Sequence, residues 1–89
     1  MLTADLAQYV LALEDAAGSS NAPADRAAYE KYRAHAGLVL ALAVAGKDPA
    51  RLREQLEAHD RLWVTLMLVG EAYKKPADAW QKVKDKARL

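Results

Sequence analysis

The chain has 89 residues, 53% of them hydrophobic and 28% charged, with a net charge of +1 and no cysteine. That length allows one domain whose core is near the lower limit of self-sufficiency, and the hydrophobic share excludes a disordered chain. The missing cysteine excludes disulfides and thiolate zinc sites, and the near-even charge excludes binding by bulk charge alone.

A first helix is expected over about 3–17, with Thr3 as N-cap and Asp5 in the positive first turn. Leu6, Tyr9/Val10, Leu13 and Ala16/Ala17 recur at steps of three and four and form its inward stripe. Gly18 reads as a left-handed C-cap, followed by the turn residues Ser19-Ser20-Asn21. A second helix spans about 23–45, with Pro23 in its first turn and Gly46 as its stop. Ala28, Tyr32, His35, Val39 and Leu42 share one face, and from Gly37 to Ala45 every residue is apolar. A stretch apolar all round is expected to be buried all round.

Lys47-Asp48-Pro49 marks the next start, an aspartate N-cap followed by proline at the first helical position. The third helix is expected over about 49–74, carrying Leu52, Leu56, His59, Trp63, Leu66, Gly70 and Tyr73 in a heptad-like seam. Lys75-Pro76 should end it, because the residue before proline is pushed out of the helical region. A terminal helix over about 77–88 sets Trp80, Val83 and Ala87 on one side, with Lys82, Lys84 and Lys86 largely off it. The expected fold is all-α: one domain over 1–89, a small bundle of three to four helices built on a long antiparallel hairpin.

The short connection at Lys47 permits only an antiparallel hairpin. Residues equidistant from Lys47 should lie level, placing Leu42 beside Leu52, His35 beside His59, and Tyr32 beside Leu62 and Trp63. A first helix of this length cannot cover both ends of the hairpin, so surplus apolar surface is expected. A two-fold homodimer covers it most economically, because one patch serves twice, and it adds burial that a small core lacks. Residues 1–30 carry −4 and residues 61–89 carry +4, a split that favours antiparallel contact between the two ends. Each exposed pair is worth little, so the split orients more than it stabilises.

The His35/His59 pair is the sharpest local constellation. It could serve a metal- or pH-responsive bundle, but di-iron bundles place an acid three residues before each histidine, where this chain has Tyr32 and Leu56. A hydrogen-bonded pair inside the hairpin is the favoured reading, with no metal and no cofactor. Thr3, Ser19, Ser20 and Thr65 form no triad or nucleophile elbow, and a bundle this small leaves little room for a pocket of several hundred Å³, so no enzyme is expected. Lys74, Lys75, Lys82, Lys84, Lys86 and Arg88, with Trp80 among them, could track a phosphate backbone. Docking of Trp80 and Val83 on the bundle is favoured over nucleic acid. Trp63 and Tyr32 are assigned to the core, while Tyr29 and Tyr73 stay open between core and rim.

The first residues lack a basic region and place Asp5 where a signal core would begin, which argues against a secretory leader. The longest uncharged run, Ala34 to Gly46, is too short to cross a bilayer. A cytoplasmic location is expected. The 20 alanines and 13 leucines, with no Ile or Phe, suggest GC-biased bacterial coding. Leu52, Leu56 and Arg61-Leu62-Trp63 resemble a segment of the small flagellar regulator FlaF, with no counterpart before Gly46. The residues together favour a non-catalytic, homodimerising interaction or regulatory module that meets a protein partner through apolar helix faces. Leu38, Leu40, Val44, Trp63, Met67, Tyr73 and Trp80 are its candidate contacts. The rivals are a nucleic-acid-binding accessory protein using the basic terminal helix and a bundle responsive at the histidine pair.

Overall fold

Four helices follow one another in the computed structural model, which describes residues 2–64 and 72–89: α1 (Leu2–Ser19), α2 (Pro23–Ala45), α3 (Pro49–Val64) and α4 (Lys74–Ala87). Among the described residues there is no strand, and the fold is a small all-α bundle. It measures 39 × 21 × 19 Å. The turn signals explain two of the helix ends. Gly46 takes a left-handed φ of 63° and its N–H caps Leu42 O. Asp48 Oδ1 then accepts the Arg51 N–H at 3.0 Å, satisfying a donor that the first turn of α3 leaves free.

Three boundaries depart from the sequence reading. Thr3 lies inside α1, and Gly18 does not stop the helix, which continues to Ser19. Gly18 has no positive φ, and the helical bonding reaches Ser20 N to Ala16 O at 3.0 Å. Glycine in a helix interior costs up to about 1 kcal/mol but forbids nothing, and Ser19 Oγ donates to Asp15 O at 2.7 Å to close the last turn. At the far end, Lys75-Pro76 begins a helix where it was expected to end one. α4 starts at Lys74, with Ala77 N bonded to Tyr73 O at 2.8 Å. Pro76 sits in the first turn, where its missing N–H has no partner to lose. Ala72 and Tyr73 form a turn, so α3 does not run through to residue 74. Its expected extension over 65–71, including Thr65, Leu66, Met67 and Gly70, lies outside the described residues.

α1 packs against both α2 and α4, and α2 pairs with α3. Leu6, Tyr9, Leu13 and Ala16 of α1 meet Tyr29, Tyr32, Ala36 and Val39 of α2, with Leu56, Trp80 and Val83 completing the core. Arg33 pairs with Glu14, and Arg26 Nη2 donates to Ser20 O at 2.9 Å, which sets α1 antiparallel to α2. At that register Leu2 lies level with Val44. The first helix therefore runs nearly the whole length of α2, and shortness is not why apolar surface stays exposed.

The reason is angular. α2 turns Tyr29, Tyr32, Ala36 and Val39 inward and presents the opposite arc to solvent. In its first half that arc holds Arg26, Glu30, Lys31 and Arg33; in its second half it holds Ala34, Gly37, Leu38, Ala41, Val44 and Ala45. Burial all round from Gly37 to Ala45 is thus not achieved: Leu38 is 48% and Val44 70% exposed.

Candidate functional site

The level pairing of the hairpin brings His35 and His59 together. Their Nδ1 atoms are 2.8 Å apart and their rings are parallel to within 8°, with centroids 5.0 Å apart. That centroid distance is the nitrogen contact plus about one ring radius at each end, so the imidazoles meet edge to edge, not face to face. One N–H therefore points straight at the lone pair opposite. Tyr32 does as its level predicts, donating its hydroxyl to Leu62 O at 2.7 Å and packing edge-on to Trp63.

The pair is the middle of a longer chain. Trp63 Nε1 donates to the Tyr9 hydroxyl at 2.8 Å, and that hydroxyl lies 2.5 Å from His59 Nε2. On the other side His35 Nε2 lies 2.9 Å from Gln55 Oε1. Only one direction of protons satisfies every group without a charge. Tyr9 O–H donates to His59 Nε2, His59 Nδ1–H donates to His35 Nδ1, and His35 Nε2–H donates to Gln55 Oε1. Gln55, His59 and Trp63 are spaced four apart on α3 and form one stripe. Tyr9 joins from α1 and His35 from α2.

Burial governs the electrostatics here. His59 is fully inaccessible, with Trp80, Tyr9, His35 and Tyr32 ring centroids 4.7 to 5.9 Å away. Desolvation first, and then neighbouring His35, pull its pKa down to about 3, with Asp60 opposing. Burial also pushes the Tyr9 hydroxyl above the ordinary phenol range, against the Trp63 hydrogen bond. Both groups are neutral at pH 7. Asp60 is held away from the ring by Trp80 Nε1 at 2.9 Å and Lys84 Nζ at 3.4 Å.

The pair's geometry is poorly suited to a metal. The two facing nitrogens are at hydrogen-bonding distance along one line, which leaves room for a proton between them. Among the described residues no group of three or more His, Asp or Glu could hold a metal ion. The signal for Gln55 and Trp63 was present in their four-residue spacing from His59. Tyr9, 50 residues away, had none beyond its place on an inward stripe.

The other candidates are placed as follows. Leu38 and Val44 are exposed, Leu40 is half-buried, and Tyr73 is 37% exposed. Trp80, expected among the contacts, is buried against Tyr9 and His59 and so belongs to the bundle's interior. Trp63 is half-buried and committed to Tyr9, and Met67 lies outside the described residues. Tyr29 is fully buried, its hydroxyl without a hydrogen-bond partner among the described residues.

The basic residues of α4 do not form one free row. Lys84 pairs with Asp60, and Lys75 and Lys82 line a groove of about 440 Å³ against α1, together with Asp5, Gln8 and Asp78. Lys74, Lys86 and Arg88 are exposed. The groove is larger than the sequence reading allowed, because alanines at Ala12 and Ala79 leave the two helices with little to fill it. Among the described residues its polar wall holds lysines, acids and an amide but no Ser, Thr, Cys or His. Acidic α1 packs beside basic α4, and Asp5 of the one lines the groove with Lys75 and Lys82 of the other.

No family model, curated protein or solved structure matches the chain. The likeness to FlaF is therefore confined to the residues of α3 that carry it. No described helix is long and apolar enough to cross a membrane.

Proposed function

We propose that the protein is a non-catalytic interaction module that pairs with a second copy of itself through the outward arc of α2. The observation that carries this reading is the change of character along that arc. It is charged up to Arg33 and then bears no charged or hydrogen-bonding side chain from Ala34 to Ala45. Water-facing arcs of bundle helices are ordinarily polar, and an apolar surface of this kind gains free energy when covered.

Two features favour a second copy as the cover. A face without charge meets itself across a two-fold axis with no like-charge penalty. Gly37, Ala41 and Ala45 form a row of small residues at steps of four, and apart from the backbone of its own helix and its chain neighbours no atom of the described residues lies within 4 Å of where a Gly37 Cβ would be. Glycine in a helix interior is a cost that its own fold gives no reason to carry. An approaching backbone gives one, with Leu38 and Val44 flanking the row.

The face is only about 18 Å long at 1.5 Å per residue, so the dimer is a weak, reversible one. Sedimentation equilibrium should show it populated at roughly 100 μM and dissociated near 1 μM. Leu38→Glu should leave helicity intact and abolish the dimer. A wild-type chain that stays monomeric up to millimolar concentration would remove the basis of this reading.

A further inference from the structure

α3 is held to the rest of the bundle by polar links to an unusual degree. Leu56 is its one buried apolar side chain among the described residues, and its other buried residue is His59. Leu52, Leu62 and Trp63 pack half-buried against the core, and hydrogen bonds tie the helix to every other helix. Arg53 donates to Ala87 O at 2.8 Å and Arg88 O at 3.2 Å, capping the end of α4. Gln55 and His59 meet His35 of α2, Asp60 meets Trp80 and Lys84 of α4, and Trp63 and His59 meet Tyr9 of α1.

From this arrangement we infer that the Tyr9–His59–His35–Gln55 chain is a proton-operated catch, which holds α3 on the bundle while both imidazoles are neutral and releases it when the pair takes up a proton.

Counting hydrogens gives the reason. The neutral pair carries two N–H groups on four ring nitrogens, and each has an acceptor. A third proton leaves one shared between the facing Nδ1 atoms and puts an N–H on both Nε2 atoms. His35 Nε2–H still has Gln55. His59 Nε2–H now points at a hydroxyl 2.5 Å away whose own hydrogen occupied that line and which already accepts from Trp63. Tyr9 must then turn its O–H off that line and give up the hydrogen bond it donates to His59 inside the core. A second added proton sets two N–H groups against each other across the hairpin.

The groups facing His59 do not relieve this. α1 supplies Tyr9, α2 supplies Tyr32 and His35, and α4 supplies Trp80, with Lys84 behind it on Asp60. Among the described residues Asp60 is the carboxylate that favours the imidazolium, and its Oδ1 is shared between the indole and the lysine.

Nitrogen-15 NMR of the full chain tests the catch through ring tautomers, and amide exchange tests it through the helices. At pH 7.5, His59 should carry its hydrogen on Nδ1 and His35 on Nε2. Between pH 7 and 4, α3 amides, corrected for intrinsic chemistry, should lose protection faster than those of α1. The loss should approach tenfold per pH unit where proton uptake is coupled to release. Tyr9→Phe removes the hydroxyl that favours the neutral ring, so the docked ring can take its proton without release, and the loss of α3 protection should level off about one pH unit higher than in the wild type, a tenfold change in the docked ring's proton affinity. His59→Gln should make α3 protection independent of pH across that range. If His59→Gln does not fold, the wild type and Tyr9→Phe decide by themselves. The opposite tautomers, or α3 amides no more pH-sensitive than those of α1, would overturn the catch.

Discussion

His59 illustrates how one residue can be structural and titratable at once. Above the ordinary histidine pKa of 6.5, folded and unfolded chains both hold it neutral. Between 6.5 and about 3 the unfolded chain takes a proton that the folded chain refuses, so stability falls as pH falls through that window and levels off below it. The loss is at most about 1.4 kcal/mol per pH unit. Urea unfolding at pH 7 and pH 5 measures it, and an unchanged midpoint would mean that His59 is solvated enough to titrate normally. Tyr29 behaves differently. It is buried without a hydrogen-bond partner for its hydroxyl among the described residues, and burial, then Asp25 and Tyr73, push its pKa up. Removing an unpaired buried hydroxyl relieves a desolvation cost, so Tyr29→Phe should raise the unfolding free energy by about 1 kcal/mol, read as a higher urea midpoint.

At the scale of helices, glycine carries opposite meanings at different positions. Gly46 sits at φ 63°, where a β-carbon strains the backbone, whereas Gly18 has no positive φ and lies in open space inside α1. Gly46→Ala should destabilise the protein by about 1 kcal/mol and Gly18→Ala should stabilise it by about 0.5 to 1 kcal/mol, both read as shifts in thermal midpoint. Gly37 resembles Gly18 within one chain, with nothing near its missing β-carbon. On the dimer reading the two differ: Gly37→Ala should stabilise the monomer yet weaken association several-fold, because the added methyl holds the second backbone away. Tighter association in that variant would move the contact to another face. α3 and α4 show that proline is read by its place in a helix. Pro49 and Pro76 both fall in a first turn, and Lys75 before Pro76 is helical despite the local preference against it.

For the whole molecule, the all-α bundle and the pairing of its central hairpin could be read from sequence, and the histidine contact with them. The Gly46-Lys47-Asp48-Pro49 turn fixes where α2 ends and α3 begins, and a helix advances a constant rise per residue. His35 and His59 must then come level, and Tyr32 must reach Leu62, whatever packs around them. Register across a short turn is a local quantity, so sequence determines it. The arrangement of α1 is not local. Its apolar stripe would fit α2 at several rotations, and only the packed structure decides that Tyr9 points at α3, making the histidine pair part of a chain through three helices. The same packing chooses which arc of α2 faces water, because a segment apolar on every side carries no preference of its own. Sequence thus determined which groups lie side by side along the hairpin. Tertiary structure decided which proton each holds and which apolar face is left uncovered, since both depend on neighbours from distant parts of the chain.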